Sequence, residues 1–200
     1  SQEGYGYMQL QLHKKGADSR ALDSGKELSY LKDVRKIQIT LASAGNQSFS
    51  MALMPKSVSE EGAAATEFDL SYEYISDFTG LAYFTELTAI DVTGNNMTSF
   101  DISALTKVQQ LSIGNCSDCQ TIVLGANPIK QLEVLNGRSQ YVDFETLTIS
   151  GEAVEEFYSS CSRSYDEIKT VDLSGCPSLK VIECERANLE TLILPKALEG

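Results

Sequence analysis

The groups in this chain with the most chemical potential are its thiols, one histidine and a scatter of carboxylates. Cys116-Ser-Asp-Cys119 is a C-x-x-C string, a spacing that suits thiol–disulfide exchange or zinc binding. Redox use needs a strand-to-helix turn around the pair, and zinc needs a second pair of ligands. The surrounding segment supplies no such turn, and the single histidine, His13, is far off in sequence. Both thiols are therefore expected to fill core space. His13 has no neighbour suited to general-base work, and its outward position in an alternating stretch makes it a surface residue. No G-x-S-x-G, Walker A or G-x-G-x-x-G string is present. The expectation is a non-enzyme with no catalytic residues, no cofactor and no metal.

What must position these side chains is a repeat. Leu87 to Met97 reads LTAIDVTGNNM and fits L-x-x-L-x-L-x-x-N-x-L at every fixed position, with Ile, Val and Met standing for Leu. Further copies begin at Val108 (VQQLSIGNC), Ile129 (IKQLEVLNG), Ile168 (IKTVDLSGC) and Leu189 (LETLILPKA). Their last apolar strand residues, Val92, Ile113, Val134, Leu173 and Leu194, stand 21, 21, 39 and 21 apart. A weaker copy, FETLTISGE with Ile149, divides the long step into 15 and 24, and Leu70 lies 22 before Val92. Each copy makes one short strand that cannot bury its apolar edge alone, so the copies must stack into a solenoid with one continuous core. Asn95 is placed to bond the turn backbone from inside, and Cys116 and Cys176 take the same position in later copies. The pairs Phe100/Ile102, Ile122/Leu124 and Ile182/Cys184 fall about half a period along and predict short strands on the opposite, convex wall. In GEAVEEFYSSCS, Gly151 to Ser162, the spacing of Val154, Phe157 and Cys161 predicts a convex-side helix.

The first sixty residues read differently. Met8/Leu10/Leu12, Ile37/Ile39/Leu41 and Phe49/Met51/Leu53 each alternate with polar residues, which predicts three half-buried strands. Their apolar face needs cover, and the open end of the solenoid needs a cap, so this segment is expected to pack on the first repeat. The expected fold class is an α/β solenoid, mostly β: a leucine-rich-repeat body over residues 63–200 with a parallel concave sheet, and a β-rich cap over residues 1–62.

The 200 residues carry a net charge of −12 and 42% hydrophobic content. That acidity, without a basic patch, argues against nucleic acid and anionic membrane as partners, and no apolar run reaches the ~18 residues of a membrane span. No leader is legible at Ser1, so export would require one already removed. Five cysteines, an odd number with none before residue 116, are too sparse for a disulfide-stapled domain.

The segment Ile75 to Ser103 resembles internalin-type leucine-rich repeats of bacterial surface proteins. The later copies, with TVDLSGCPSLKVIEC, resemble repeats in surface proteins of gut bacteria, and the opening GYGYMQLQLHKKG with YLKDVRKIQITL is similar to the start of such lipoproteins after a lipidated cysteine. The 15-residue step and the lack of a polar C-terminal cap depart from that pattern. The resemblance implies an extracellular adhesion or binding module at the bacterial cell surface, touching the membrane only through an N-terminal lipid anchor, with a protein or glycan partner. The candidate face is the outward strand column Asp69, Asp91, Ser112, Glu133, Thr148 and Asp172, continued by Ile193. It is polar and poor in the aromatic and Arg anchors of tight interfaces. The alternative is a structural spacer or stacking segment of a larger surface protein, which the uncapped end after Leu194 suits.

Overall fold

A computed structural model describes residues 8–14, 19–22, 34–41, 51–52, 66–72, 75–134, 144–160, 168–185 and 189–196. They form a mostly parallel β-solenoid of about four turns with almost no helix. The strands are β1 (Met8–Lys14), β2 (Ser19–Leu22), β3 (Val34–Leu41), β4 (Met51–Ala52), β5 (Glu67–Asp69), β6 (Ile75–Asp77), β7 (Ala89–Asp91) and β8 (Ser99–Asp101). They continue as β9 (Gln110–Ser112), β10 (Thr121–Val123), β11 (Gln131–Val134), β12 (Thr146–Ser150), β13 (Glu156–Ser160), β14 (Thr170–Gly175), β15 (Val181–Glu185) and β16 (Thr191–Ile193). From β3 onward successive strands alternate between two walls. The first wall holds the sheet β2-β1-β3-β5-β7-β9 and then the separate sheet β11-β13-β15. The second holds β4-β6 and the sheet β8-β10-β12-β14-β16.

The inward residues make the ladder necessary. Phe68, Ile90, Leu132 and Phe157 on one wall meet Ile75, Phe100, Ile122, Ile149 and Val171 from the other, all buried. At roughly 1.5–3 kcal/mol for each large side chain removed from water, this shared core holds the coils together. Phe68 packs edge-on to Phe84 with centroids 4.4 Å apart, and Phe78 does the same to Phe100 at 5.4 Å.

Polar side chains seal the corners from inside. Asn95 accepts the N–H of Ile75 at 2.9 Å and donates to the carbonyls of Leu70 and Val92, both at 2.7 Å. Asn127 repeats the arrangement at the opposite corner. It accepts from Val108 N–H at 2.9 Å and donates to the Ile102 and Leu124 carbonyls at 2.9 and 2.8 Å. Cys116 takes the place of Asn95 one coil on, with its Sγ 3.4 Å from the Val92 carbonyl. Cys176 sits in the other corner, 3.6 Å from the Ile149 carbonyl. The asparagines thus pair buried backbone groups at their corners, whereas Cys116 adds only a weak second donor to the Val92 carbonyl that Asn95 already serves. Just outside the first corner, Tyr72, Gly94 and Asn115 share a left-handed backbone (φ 57°, 71° and 55°). The Tyr72 ring lies so close over Gly94 that a Cβ there would meet it at 2.3 Å.

Three expectations are corrected. Over residues 151–160 the helix expected for Gly151–Ser162 is replaced by a turn and then β13, while Cys161 and Ser162 lie outside the described residues. Val154 fills the corner and Phe157 the strand, so their helical spacing arises across a bend. The backbone of Glu156 bonds to Lys130 of the coil before it, and that tertiary pairing overrides local propensity. The α component of the expected α/β fold shrinks to a 3-10 turn at Thr79–Tyr83 with a single 3-10 position at Lys196, among the described residues. Finally, the strand columns exchange walls. The strands ending near Val92, Ile113 and Val134 lie on the first wall, while those of Ile149, Leu173 and Leu194 join Phe100 and Ile122 on the second. The 15-residue step crosses the core instead of climbing one coil, and the wall expected to be convex at Ile182 is the continuation of the first.

At the front, β1 pairs antiparallel with β2 and β3, and β3 pairs in parallel with β5, Ile37 opposite Phe68. The N-terminal strands thus extend the first wall in its own plane. β4, expected beside them, pairs with β6 on the second wall, so two ladders bridge the expected boundary at 62/63. Phe49 and Leu53 lie outside the described residues.

Candidate partner-binding face

The outward positions of the walls are the surface this fold offers a partner. Asp69, Asp91 and Ser112 stand directly opposite one another on β5, β7 and β9, as one column. Glu133 follows on β11, but in a separate sheet, where its neighbours are Tyr158 and then Glu183. Thr148 and Asp172 are neighbours on the second wall, flanked by Thr121 and Ile193. The expected single column is therefore three separate groups, divided by the break between β9 and β11 and by the wall exchange.

The aspartates have local work. Asp69 Oδ1 accepts the Ser71 hydroxyl at 2.7 Å and its N–H at 3.2 Å. Asp91 accepts the Thr93 N–H and Asp172 the Ser174 N–H, both at 2.9 Å. Asp77 with Thr79 and Asp101 with Ser103 do the same. Each carboxylate fastens the turn at the end of its strand, the side-chain turn that Asp favours. The two bonds from Thr79 hold the Asp77 carboxyl below its ordinary value. The sequence carried this signal as D-x-[ST], in DLS, DFT, DVT, DIS and DLS, and the repeat reading passed over it. It also passed over Asn127, whose LGANPI mirrors VTGNNM around Asn95.

Ser112 and Glu133 are different. Both are exposed, and they lie on either side of the one place where the first wall is not continuous. β9 and β11 share no ladder among the described residues, whereas β10 and β12 behind them do. The seam is a shallow groove of about 600 Å³ lined by Gln109, Gln110, Ser112, Gln131, Glu133 and Lys130, with Leu111 and Pro128. Leu111 is only half-buried, unlike Ile90 before it and Leu132 after it. Pro128 brings no N–H to the seam. Lys130 is oriented by Glu155 of the next coil at 3.4 Å. Three primary amides, a hydroxyl and one charge of each sign around an apolar patch can exchange paired hydrogen bonds with hydroxyls or peptide groups.

The thiols follow the packing expectation. Cys116, Cys119 and Cys176 are buried and unpaired. Burial pushes Cys119 up to about 12 and Cys176 up to about 11, and raises Cys116 and Cys184 as well. Burial thus disfavours the thiolate at Cys116, Cys119 and Cys176, which suits packing groups more than nucleophiles. Among the described residues no group of three or more His, Cys, Asp or Glu could hold a metal, and no helix is long and apolar enough to cross a membrane. His13 lies on β1 opposite Lys36; its side chain lies outside the described residues. No protein-family model matches the chain, and no curated protein matches it significantly.

Proposed function

We propose that the chain is a non-catalytic binding module whose partner, a protein or a glycan, docks at the seam between β9 and β11. The observation that carries this is the groove itself: in a stacked wall, one interruption brings exposed amides, Ser112, Lys130 and Glu133 around a half-buried leucine. A few placed polar groups beside an apolar patch can fix the orientation of a docked partner. The 21-residue spacing and the corner asparagines support a leucine-rich-repeat kinship. The resemblance to gut-bacterial surface proteins then supports display outside the cell, as an adhesin held by an N-terminal lipid. A glycan array and a panel of purified matrix proteins, probed with the native chain and with Gln110→Arg/Glu133→Lys, test the reading. Binding that the double variant abolishes and that Asp172→Asn, on the other wall, leaves intact is expected. Binding equally weakened by both, or by neither, would remove the seam from the account.

A second reading, a stacking segment without a ligand at the seam, is supported by the last described coil, where the inward Leu192 is 39% exposed.

A further inference from the structure

The seam lies inside the solenoid, between two strands that are each laddered on their far side, β9 to β7 and β11 to β13. Behind it β10 and β12 stay paired, Thr121 opposite Thr148, so the coils part on one wall only. Hydrogen bonds on the far sides show which main-chain groups face the gap. The Gln110 N–H goes to the Thr88 carbonyl at 3.1 Å, and the Ser112 carbonyl accepts the Val92 N–H at 2.9 Å. Both residues thus turn their peptide groups to β7, and alternation turns the N–H and C=O of Leu111 into the seam. Across it, the Lys130 carbonyl accepts the Glu156 N–H at 3.0 Å. The same alternation turns the peptide groups of Gln131 and Glu133 toward β9. In a closed wall they would bond Leu111. Among the described residues they form no such ladder, and β9 and β11 stand farther apart than paired strands do.

We infer that the seam takes an extended peptide segment of a protein partner, inserted as a strand between β9 and β11; this rests on the seam being the binding face and names its ligand class. An inserted strand needs about twice the ~4.8 Å spacing of a ladder, and the separation of β9 from β11 is the opening it enters. It meets unladdered peptide groups on both sides, and it lays one inward apolar residue against the half-buried Leu111. Its next residue stands outward between Ser112 and Glu133, where a basic side chain complements the carboxylate. Lys130 exerts no equal pull on an acidic residue, because Glu155 already holds it at 3.4 Å. Strand addition of this kind draws affinity from main-chain bonds and selectivity from alternate side chains. A glycan has no alternating donors and acceptors to satisfy two strand edges, and the groove lining holds no aromatic ring to lie against a sugar face.

The test is fluorescence anisotropy of the native chain with labelled Thr-Lys-Val-Lys-Thr, with Thr-Glu-Val-Glu-Thr, and with the basic peptide N-methylated either on the valine amide or on both lysine amides. The basic peptide should bind at least about tenfold more tightly than the acidic one. Each methylated form should bind about tenfold more weakly than the parent, because an inserted strand bonds one edge through each alternate set of amides. Glu133→Lys should reverse the preference between the basic and acidic peptides, and Asp172→Asn should leave it unchanged. Absent binding of the basic peptide, or a preference that Glu133→Lys does not alter, would overturn the inference. So would a loss in one methylated form alone, which means addition to a single edge, or in neither, which means charge alone. If these peptides fail while a glycan or folded protein is bound and is lost in Gln110→Arg/Glu133→Lys, the seam remains the binding face and only its ligand class is wrong. If no ligand responds to that double variant, the seam reading falls with it.

Discussion

Single residues in this fold are best understood by which buried backbone groups they complete. Asn95 and Asn127 each serve one N–H and two carbonyls at a corner, and both are almost fully buried. Cys116 offers its neighbours only a weak thiol contact at 3.4 Å. Asn95→Ala or Asn127→Ala should therefore lower stability by about 2–4 kcal/mol, because the orphaned groups stay buried. Cys116→Ala should cost about 1–2 kcal/mol, mostly lost packing. Urea unfolding of the three variants checks the ranking. An Asn95→Ala variant no worse than Cys116→Ala would mean that water replaces the amide freely and the corners do not depend on it. The same logic demotes Asp69, Asp91 and Asp172: their carboxylates hold turns, so their recurrence along the chain has a structural cause before any functional one.

Elements are joined coil to coil by ladders inside and by charge pairs outside. Lys130, Glu155 and Lys180 stand in line on three successive coils, with Glu155 3.4 and 2.7 Å from the two ammonium groups. Lys169 meets Glu145 at 2.7 Å and Lys107 meets Glu86 at 2.6 Å. Hydrogen bonds and charge from Lys180 and Lys130 hold Glu155 below its ordinary value of 4.5, and Lys169 does the same to Glu145. A folded value below the unfolded one contributes stability that is complete above 4.5 and lost as pH falls through the depressed value. Urea midpoints should thus fall on acidification below pH 4.5, and less steeply in Glu155→Gln. These pairs are exposed, so the effect is small and shrinks in high salt; a variant with the slope of the parent would show that they add nothing.

The solenoid itself was legible in the sequence, because strand spacing and inward alternation are set by the chain alone. The assignment of strands to walls was not. Both walls use the same inward apolar pattern, so Leu124-Gly-Ala-Asn127 and Val92-Thr-Gly-Asn95 read alike while lying at opposite corners. The helix expected at Gly151–Ser162 failed for a related reason: a corner followed by a strand can space Val154 and Phe157 as one helical turn does. Of the candidate face, Ser112 and Glu133 were found from their outward register. The groove between them was not, since nothing in a regular repeat announces that two adjacent strands fail to pair.

At the scale of the whole molecule, the account comes down to where the fourth strand group lies. Thr148 and Asp172 belong to the second wall, whereas the first wall, interrupted after Ser112, resumes at Glu133 and runs on through Tyr158 to Glu183. Directly opposed residues on neighbouring strands are close enough for a disulfide, and residues on opposite walls are not. Thr121→Cys with Thr148→Cys joins two partners of one ladder. Glu133→Cys with Thr148→Cys joins positions that a single continuous column would place side by side. Mild oxidation of the two double variants, read by peptide mapping, is the most direct measurement. Cross-linking of 121 to 148 and none of 133 to 148 is the result the two-walled account predicts; a 133–148 disulfide with 121 and 148 left reduced would contradict it.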